Sequence, residues 1–352
     1  MFKRKTIASI LGIAMFAAGF TGCGSENKIS SNNYDAAEGK NASSDTTGSY
    51  SVVCTIFPEY DWVREIIGDK AENVELSYLL DSGVDLHSYQ PTTDDIIKIS
   101  TCDLFIYVGG ESDEWAEDSL SQATNKNMKV INLLDILGDS AKVEELKEGM
   151  QESEHEHEDD EEHEHEHEHE ENGVEYDEHV WLSVKNAKVL CAEIERRVEE
   201  IDPANADAYK SNYDEYIKKL NALDSDFEKL FANATEKTLV FGDRFPFRYF
   251  VDDYGLDYFA AFIGCSAESE ASFETIKFLS DKVNELDCKT VFTLENSNKD
   301  IANSIITNSG KKDVKIAELN SLQSVSKGDI NSGASYISLI RKNYDVLEGS
   351  LK

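Results

Sequence analysis

A chain of 352 residues holds material for two domains of ordinary size, each with a sizeable core. Its 70 acidic residues outnumber 34 basic ones and leave a formal charge of −36. That balance excludes a general affinity for nucleic-acid phosphate and suits a cationic client.

The N-terminus carries basic Lys3, Arg4 and Lys5, an apolar run from Ile7 to Phe20, and then Thr21-Gly22-Cys23. A positive start, a short apolar stretch and a small residue at the break mark residues 1–22 as a secretory signal, too short for a stable membrane span. Cys23 resembles the lipid-modified cysteine of a bacterial lipoprotein, which implies an extracytoplasmic protein anchored in the membrane bilayer. Residues 23–49, rich in Ser, Asn, Gly and Asp, read as a flexible tether.

Of the five cysteines beyond it, an odd number at wide spacing, no disulfide framework and no C-x-x-C zinc site can be assembled. Most are expected to be small interior residues. Cys265, in a loop-like Gly264-Cys265-Ser266, is the one with access to a soft-ligand role.

The folded part starts with a β-branched strand, Ser51 to Phe57, which runs into Pro58 and a helix with Trp62, Ile66 and Ile67 at helical spacing. A second strand, Val74 to Leu80, leads to a polar loop containing His87 and closed by Pro91. Thr92 or Thr93 caps a helix with Ile96, Ile97 and Ile99, and Leu104 to Val108 is a third strand ending at Gly109-Gly110. Alternating strands and helices predict a parallel sheet, whose ligands gather at loops beyond the carboxyl ends of the strands. His87 lies in such a loop.

From Glu154 to Glu171 glutamate alternates with His155, His157, His163, His165, His167 and His169. Imidazole is the commonest protein ligand for zinc-like cations, and the interleaved carboxylates add charge. With no apolar residue to bury, residues 152–173 are expected to be a disordered loop that binds metal at low affinity. His163 to His167 satisfies H-E-x-x-H only because a two-letter repeat must, and that protease motif requires a buried helix.

His179 follows in Tyr176-Asp177-Glu178-His179-Val180-Trp181. For His87 a turn histidine bonded to backbone, and for His179 an imidazole packed on Trp181, are the structural alternatives to a metal ligand.

After Asp202-Pro203, apolar residues at Tyr209, Tyr213, Tyr216, Leu220, Leu223, Phe227 and Leu230 form one stripe on a long helix. The second half then repeats the alternation. Strands are expected at Thr238–Phe241, Tyr258–Ile263, Thr290–Leu294 and Val314–Leu319, and helices near Phe247–Tyr254, Ser272–Leu286, Asp300–Thr307 and Ala334–Leu347.

Two segments, Ser82-Gly83-Val84-Asp85-Leu86-His87-Ser88-Tyr89-Gln90-Pro91 and Asp177-Glu178-His179-Val180-Trp181-Leu182, resemble the first two metal-ligand segments of the zinc and manganese receptors of bacterial ABC importers. An acidic, histidine-rich insertion before the second is typical of the zinc branch. The resemblance runs from about Ser51 to the C-terminus and implies an α/β fold of two lobes, each a mainly parallel sheet flanked by helices. The N-terminal lobe would span 50–202, the linking helix 203–234 and the C-terminal lobe 235–352.

It further implies a non-enzymatic, monomeric receptor that captures Zn²⁺ between the lobes and delivers it to an ABC permease. His87 and His179 are the expected nitrogen ligands. The position that usually supplies a third ligand is Arg244, which has no lone pair to offer, so neighbouring Asp243 is a candidate. The usual fourth ligand aligns with Asn320, and Glu268, Glu270 and Glu295 are nearby acids; solvation or an ion pair with Arg244 is the alternative for each of them. The competing functions are a manganese or iron receptor, a zinc-sequestering surface lipoprotein or adhesin without a permease, and an extracytoplasmic zinc hydrolase. For the last, no motif context is visible.

Overall fold

The computed structural model describes residues 49–151, 175–266 and 270–351. Cys23, the six histidines of the glutamate-rich run and Glu268 lie outside the described residues. Among the described residues no helix is long and apolar enough to cross a membrane.

The first lobe is built on four strands, β1 (Tyr50–Cys54), β2 (Val74–Tyr78), β3 (Leu104–Tyr107) and β4 (Lys129–Asn132), all parallel in the order β2-β1-β3-β4. Its helices are α1 (Phe57–Ile67), α2 (Thr93–Thr101), α3 (Glu114–Ser121), α4 (Leu133–Leu137) and α5 (Val184–Ile201). The first strand is shorter than its β-branched run suggests. Pro58 sits in the first turn of α1, and the buried Glu59 carboxylate accepts from the Thr55 and Ile56 amides, so the chain turns helical at Phe57. Of the two threonines, Thr92 caps α2, in a capping box with Asp95.

A short 3₁₀ turn, Pro203–Asn205, precedes α6 (Ala206–Asn233). The apolar stripe is its buried face: Tyr209, Tyr216, Leu220, Leu223, Phe227 and Leu230 are buried and Tyr213 half-buried. One helix packs on α1 and α5 of the first lobe and on α7 and α11 of the second.

The second lobe holds β5 (Thr238–Val240), β6 (Arg244–Phe245), α7 (Arg248–Tyr254), β7 (Asp257–Phe259), β8 (Phe262–Ile263), α8 (Phe273–Glu285), β9 (Thr290–Leu294), α9 (Asp300–Ser309), β10 (Lys315–Leu319), α10 (Lys327–Asn331) and α11 (Tyr336–Ser350). β5 pairs with β7 and β9 with β10, all parallel, and Phe241 bridges Phe292 in parallel just beyond β5. The resulting order β7-β5-β9-β10 repeats that of the first lobe. The strand expected over Tyr258–Ile263 breaks into β7 and β8 at Ala260-Ala261, because Ala261 leaves the first ladder to donate to the Asp243 carbonyl.

The lobes share one apolar core rather than meeting at a loose hinge. Tyr336, at the start of α11, donates its amide to Asp61 and its hydroxyl to the Trp181 carbonyl. Trp181 Nε1 donates to Ser321 O, Tyr249 Oη to Asp177 O, and Tyr78 Oη to Val325 O. Each is buried, so parting the lobes would leave paired polar groups without partners.

The loop after β3 is fixed from below by Asp113, 1% exposed, whose carboxylate accepts from the Val108 and Gly109 amides. Burial, with Glu178 nearby, pushes its pKa up to about 7. A raised acid favours the fold below its unfolded value of 3.8, and that contribution is lost as pH rises through about 7. Asp113→Asn keeps the acceptor but cannot ionise. Urea unfolding across that pH window should show a flatter stability profile for the variant, with a difference of a few kcal/mol at most.

Candidate metal site

Two aspartates build the site locally. Asp85 accepts from the His87 amide (3.1 Å) and Asp177 from the His179 amide (2.8 Å), so the same Asp-x-His turn, closed by an aspartate two residues upstream, presents both rings. Asp177 Oδ1 also meets His179 Nδ1 at 3.0 Å. His87 Nδ1 lies 2.7 Å from Ser112 Oγ and 3.5 Å from Glu178 Oε2. With both Nδ1 atoms engaged, both Nε2 atoms are left to face each other, 3.2 Å apart. Glu178 is held in turn by the Ser112 amide, and Gly110 makes room for it, since a Cβ there would lie 2.5 Å from Glu178 Oε1.

His179 is fully buried and the His87 side chain is 7% exposed. Burial, then the facing His179, then Arg244 hold His87 well below its ordinary pKa and keep it neutral. Burial opposes charge on His179 as well, but Asp177, through both charge and hydrogen bond, and then Glu144 and Glu178 outweigh it and raise that ring.

The amide of Gln323 fills the gap, with Nε2 2.8 Å from His179 Nε2 and 3.1 Å from His87 Nε2. An NH₂ group donating to two imidazole lone pairs stands where a cation would stand. Gln323 is presented by a strained turn in which buried Leu322 takes φ 63°, a conformation costly for a bulky side chain.

Two of the expected ligands lie at that turn. Glu295 spends both carboxylate oxygens on Ser321, through its amide (2.7 Å) and its hydroxyl (2.6 Å). Asn320 Oδ1 accepts from the Leu322 amide, while its backbone is clamped by Asn343. Both side chains are engaged within the turn.

Asp243 likewise turns to backbone, accepting from the Arg244 and Leu294 amides. Glu270 is exposed, and its carbonyl accepts from Gln151 at 3.4 Å. Arg244 pairs with Asp85 at 2.8 Å across the two lobes and donates to the Ser266 carbonyl.

Among the described residues, one group of three metal-binding side chains has its donor atoms all within 4.8 Å of one another: His87, His179 and Cys265. The two histidines expected from the sequence are thus brought together, with Cys265 beside them, while Gln323, Ser112 and Glu144 join them from outside the expected set. The paired Asp-x-His turns are a signal legible in the sequence; nothing local marks Gln323.

The family profile described as "Zinc-uptake complex component A periplasmic" matches residues 52–350. The high-affinity zinc uptake system protein ZnuA of Bacillus subtilis is 31% identical over 303 residues, covering 85% of this chain and 87% of that protein. The zinc-binding lipoprotein AdcA of Streptococcus pneumoniae serotype 4 is 30% identical over 301 residues, or 86% of this chain; this chain spans only about half (56%) of the length of the AdcA relatives. The solved Zn(II)-bound ZnuA-like domain of S. pneumoniae AdcA superposes with a TM-score of 0.65 at 26% identity, covering 86% of this chain and 99% of that domain.

Gly264 lets the Cys265 loop lie on His179, because a Cβ there would stand 2.9 Å from His179 Cε1 and 3.0 Å from Nδ1. Gly264→Ala should therefore lower the unfolding free energy in urea by about 1–3 kcal/mol through overpacking. Gly349→Ala, in the last turn of α11 with open space around it, should leave it unchanged or slightly higher.

Proposed function

Because the chain belongs to the periplasmic zinc-uptake component A family, we propose that it is the extracytoplasmic receptor of a zinc importer, capturing Zn²⁺ between its lobes and handing it to an ABC permease. The observation that carries this reading is the buried pair of imidazole Nε2 atoms 3.2 Å apart. Tetrahedral zinc with Zn–N bonds of about 2.0–2.1 Å puts neighbouring nitrogens about 3.3 Å apart. The pair is thus already spaced for a shared cation, which is cargo and not a resident cofactor.

Two nitrogen donors, with no carboxylate in the same cluster among the described residues, favour zinc over manganese. The lipid anchor at Cys23 is supported by the lipoprotein relative and would hold the receptor, as a monomer, beside its permease. The histidine-glutamate run would collect zinc at low affinity and raise its local concentration near the cleft.

Calorimetry with a competing chelator tests the reading on full-length protein in which the six run histidines are changed to glutamine. One zinc should bind tightly, and His87→Ala or His179→Ala should weaken it by on the order of 100-fold or more. Retention of tight binding in both variants, or a preference for manganese, would reject it.

The pH dependence follows from the two rings. His87 is already neutral, so the competing proton sits on His179, raised by Asp177, Glu144 and Glu178. Zinc must displace that proton, so the loss of apparent affinity with falling pH should steepen by about tenfold per unit below the raised His179 value. The same titration repeated at several pH values measures this slope.

A further inference from the structure

We propose that the third ligand of the cargo ion is the Cys265 thiolate, so that the cleft binds zinc through two nitrogens and one sulfur. This rests on the receptor reading above and specifies its ligand set.

Cys265 Sγ lies within 4.8 Å of a ring nitrogen of each histidine, in one cluster with them. For Zn–S of about 2.3 Å and Zn–N of about 2.0–2.1 Å, a tetrahedral edge between sulfur and nitrogen is about 3.6 Å, so a small closure of the Cys265 loop would bring the three donors to ligating distance.

The loop is built to approach the rings. Gly264 leaves no space for a side chain against the His179 ring. Glu144, from the first lobe, accepts from the Gly264 amide (2.8 Å) and the Cys265 amide (3.4 Å). On the other side the Arg244 guanidinium accepts no cation but donates to the Ser266 carbonyl and pairs with Asp85. Cys265 is thereby held between two anchors that both belong to the walls of the site.

Of the free cysteines among the described residues, Cys54, Cys102, Cys191 and Cys288 are buried in the fold, while Cys265 alone is partly exposed. Binding replaces the S–H proton, which leaves to solvent, by an S–Zn bond. A fourth donor is at hand when the Gln323 amide rotates to turn its oxygen toward the ion. Sulfur and imidazole together select zinc or cobalt and disfavour manganese.

The test uses the full-length chain carrying Cys23→Ser and the six run histidines changed to glutamine, with one equivalent of cobalt(II). The expected result is a thiolate-to-cobalt charge-transfer band in the near ultraviolet, bleached by one equivalent of zinc. Cys265→Ser should abolish the band and weaken zinc by more than about tenfold, the scale of lesser changes around a metal site, with its urea midpoint unchanged. Cobalt bound in a His87-dependent manner without the band, or a band that persists in Cys265→Ser, would overturn the thiolate assignment and leave the receptor standing. Absence of any tight cobalt or zinc binding would overturn both.

Discussion

Two imidazole lone pairs aimed at one another across 3.2 Å, inside a protein, are a constraint that needs a positive partner. The neighbourhood is arranged around that need. Asp177 and Ser112 occupy the Nδ1 atoms, Glu178 and Glu144 supply negative charge behind the rings, and Gln323 lends its NH₂ to both lone pairs. The strain at Leu322 and the buried Glu295 carboxylate are costs incurred to put that amide in place. A cation arriving at the same point would take over the amide's role with far stronger interactions.

Holding the pair also explains why the lobes are fused as they are. His87 and His179 come from the first lobe, while Gln323, Cys265 and Arg244 come from the second. Their relative positions therefore depend on the rigidity of the junction. The hydrogen bonds of Tyr336, Trp181, Tyr249 and Tyr78, all inside a continuous core with α6, keep large rotations out of reach. In the proposed receptor role, movement at the site would fall to loops: the Gly264–Ser266 segment, the Ser321–Gln323 turn, and the Arg244–Asp85 pair that spans them.

Arg244 shows how a fixed positive charge is accommodated beside such a site. A guanidinium cannot ligate a cation and repels it, yet here it is turned to Asp85 and to a loop carbonyl, one-fifth exposed and neutralised. The charge becomes a brace across the cleft mouth.

The sequence by itself determined the alternation of strands and helices, the long stripe that became α6, and the two histidines. Those features are local: apolar periodicity picks the buried face of each element, and an aspartate two residues before each histidine closes its own turn. Boundaries shifted where a side chain outbid the pattern, as Glu59 did at the start of α1. Only the tertiary structure shows which partners the other candidates take. Asp243, Glu295 and Asn320 are engaged by nearby backbone amides. Cys265 stood out only by its loop, and Gln323 carries no local mark at all, since it meets His87 across 236 positions of chain. Which loop ends converge is set by the packing of two sheets on one shared core, a property of the whole fold that no short stretch of sequence contains.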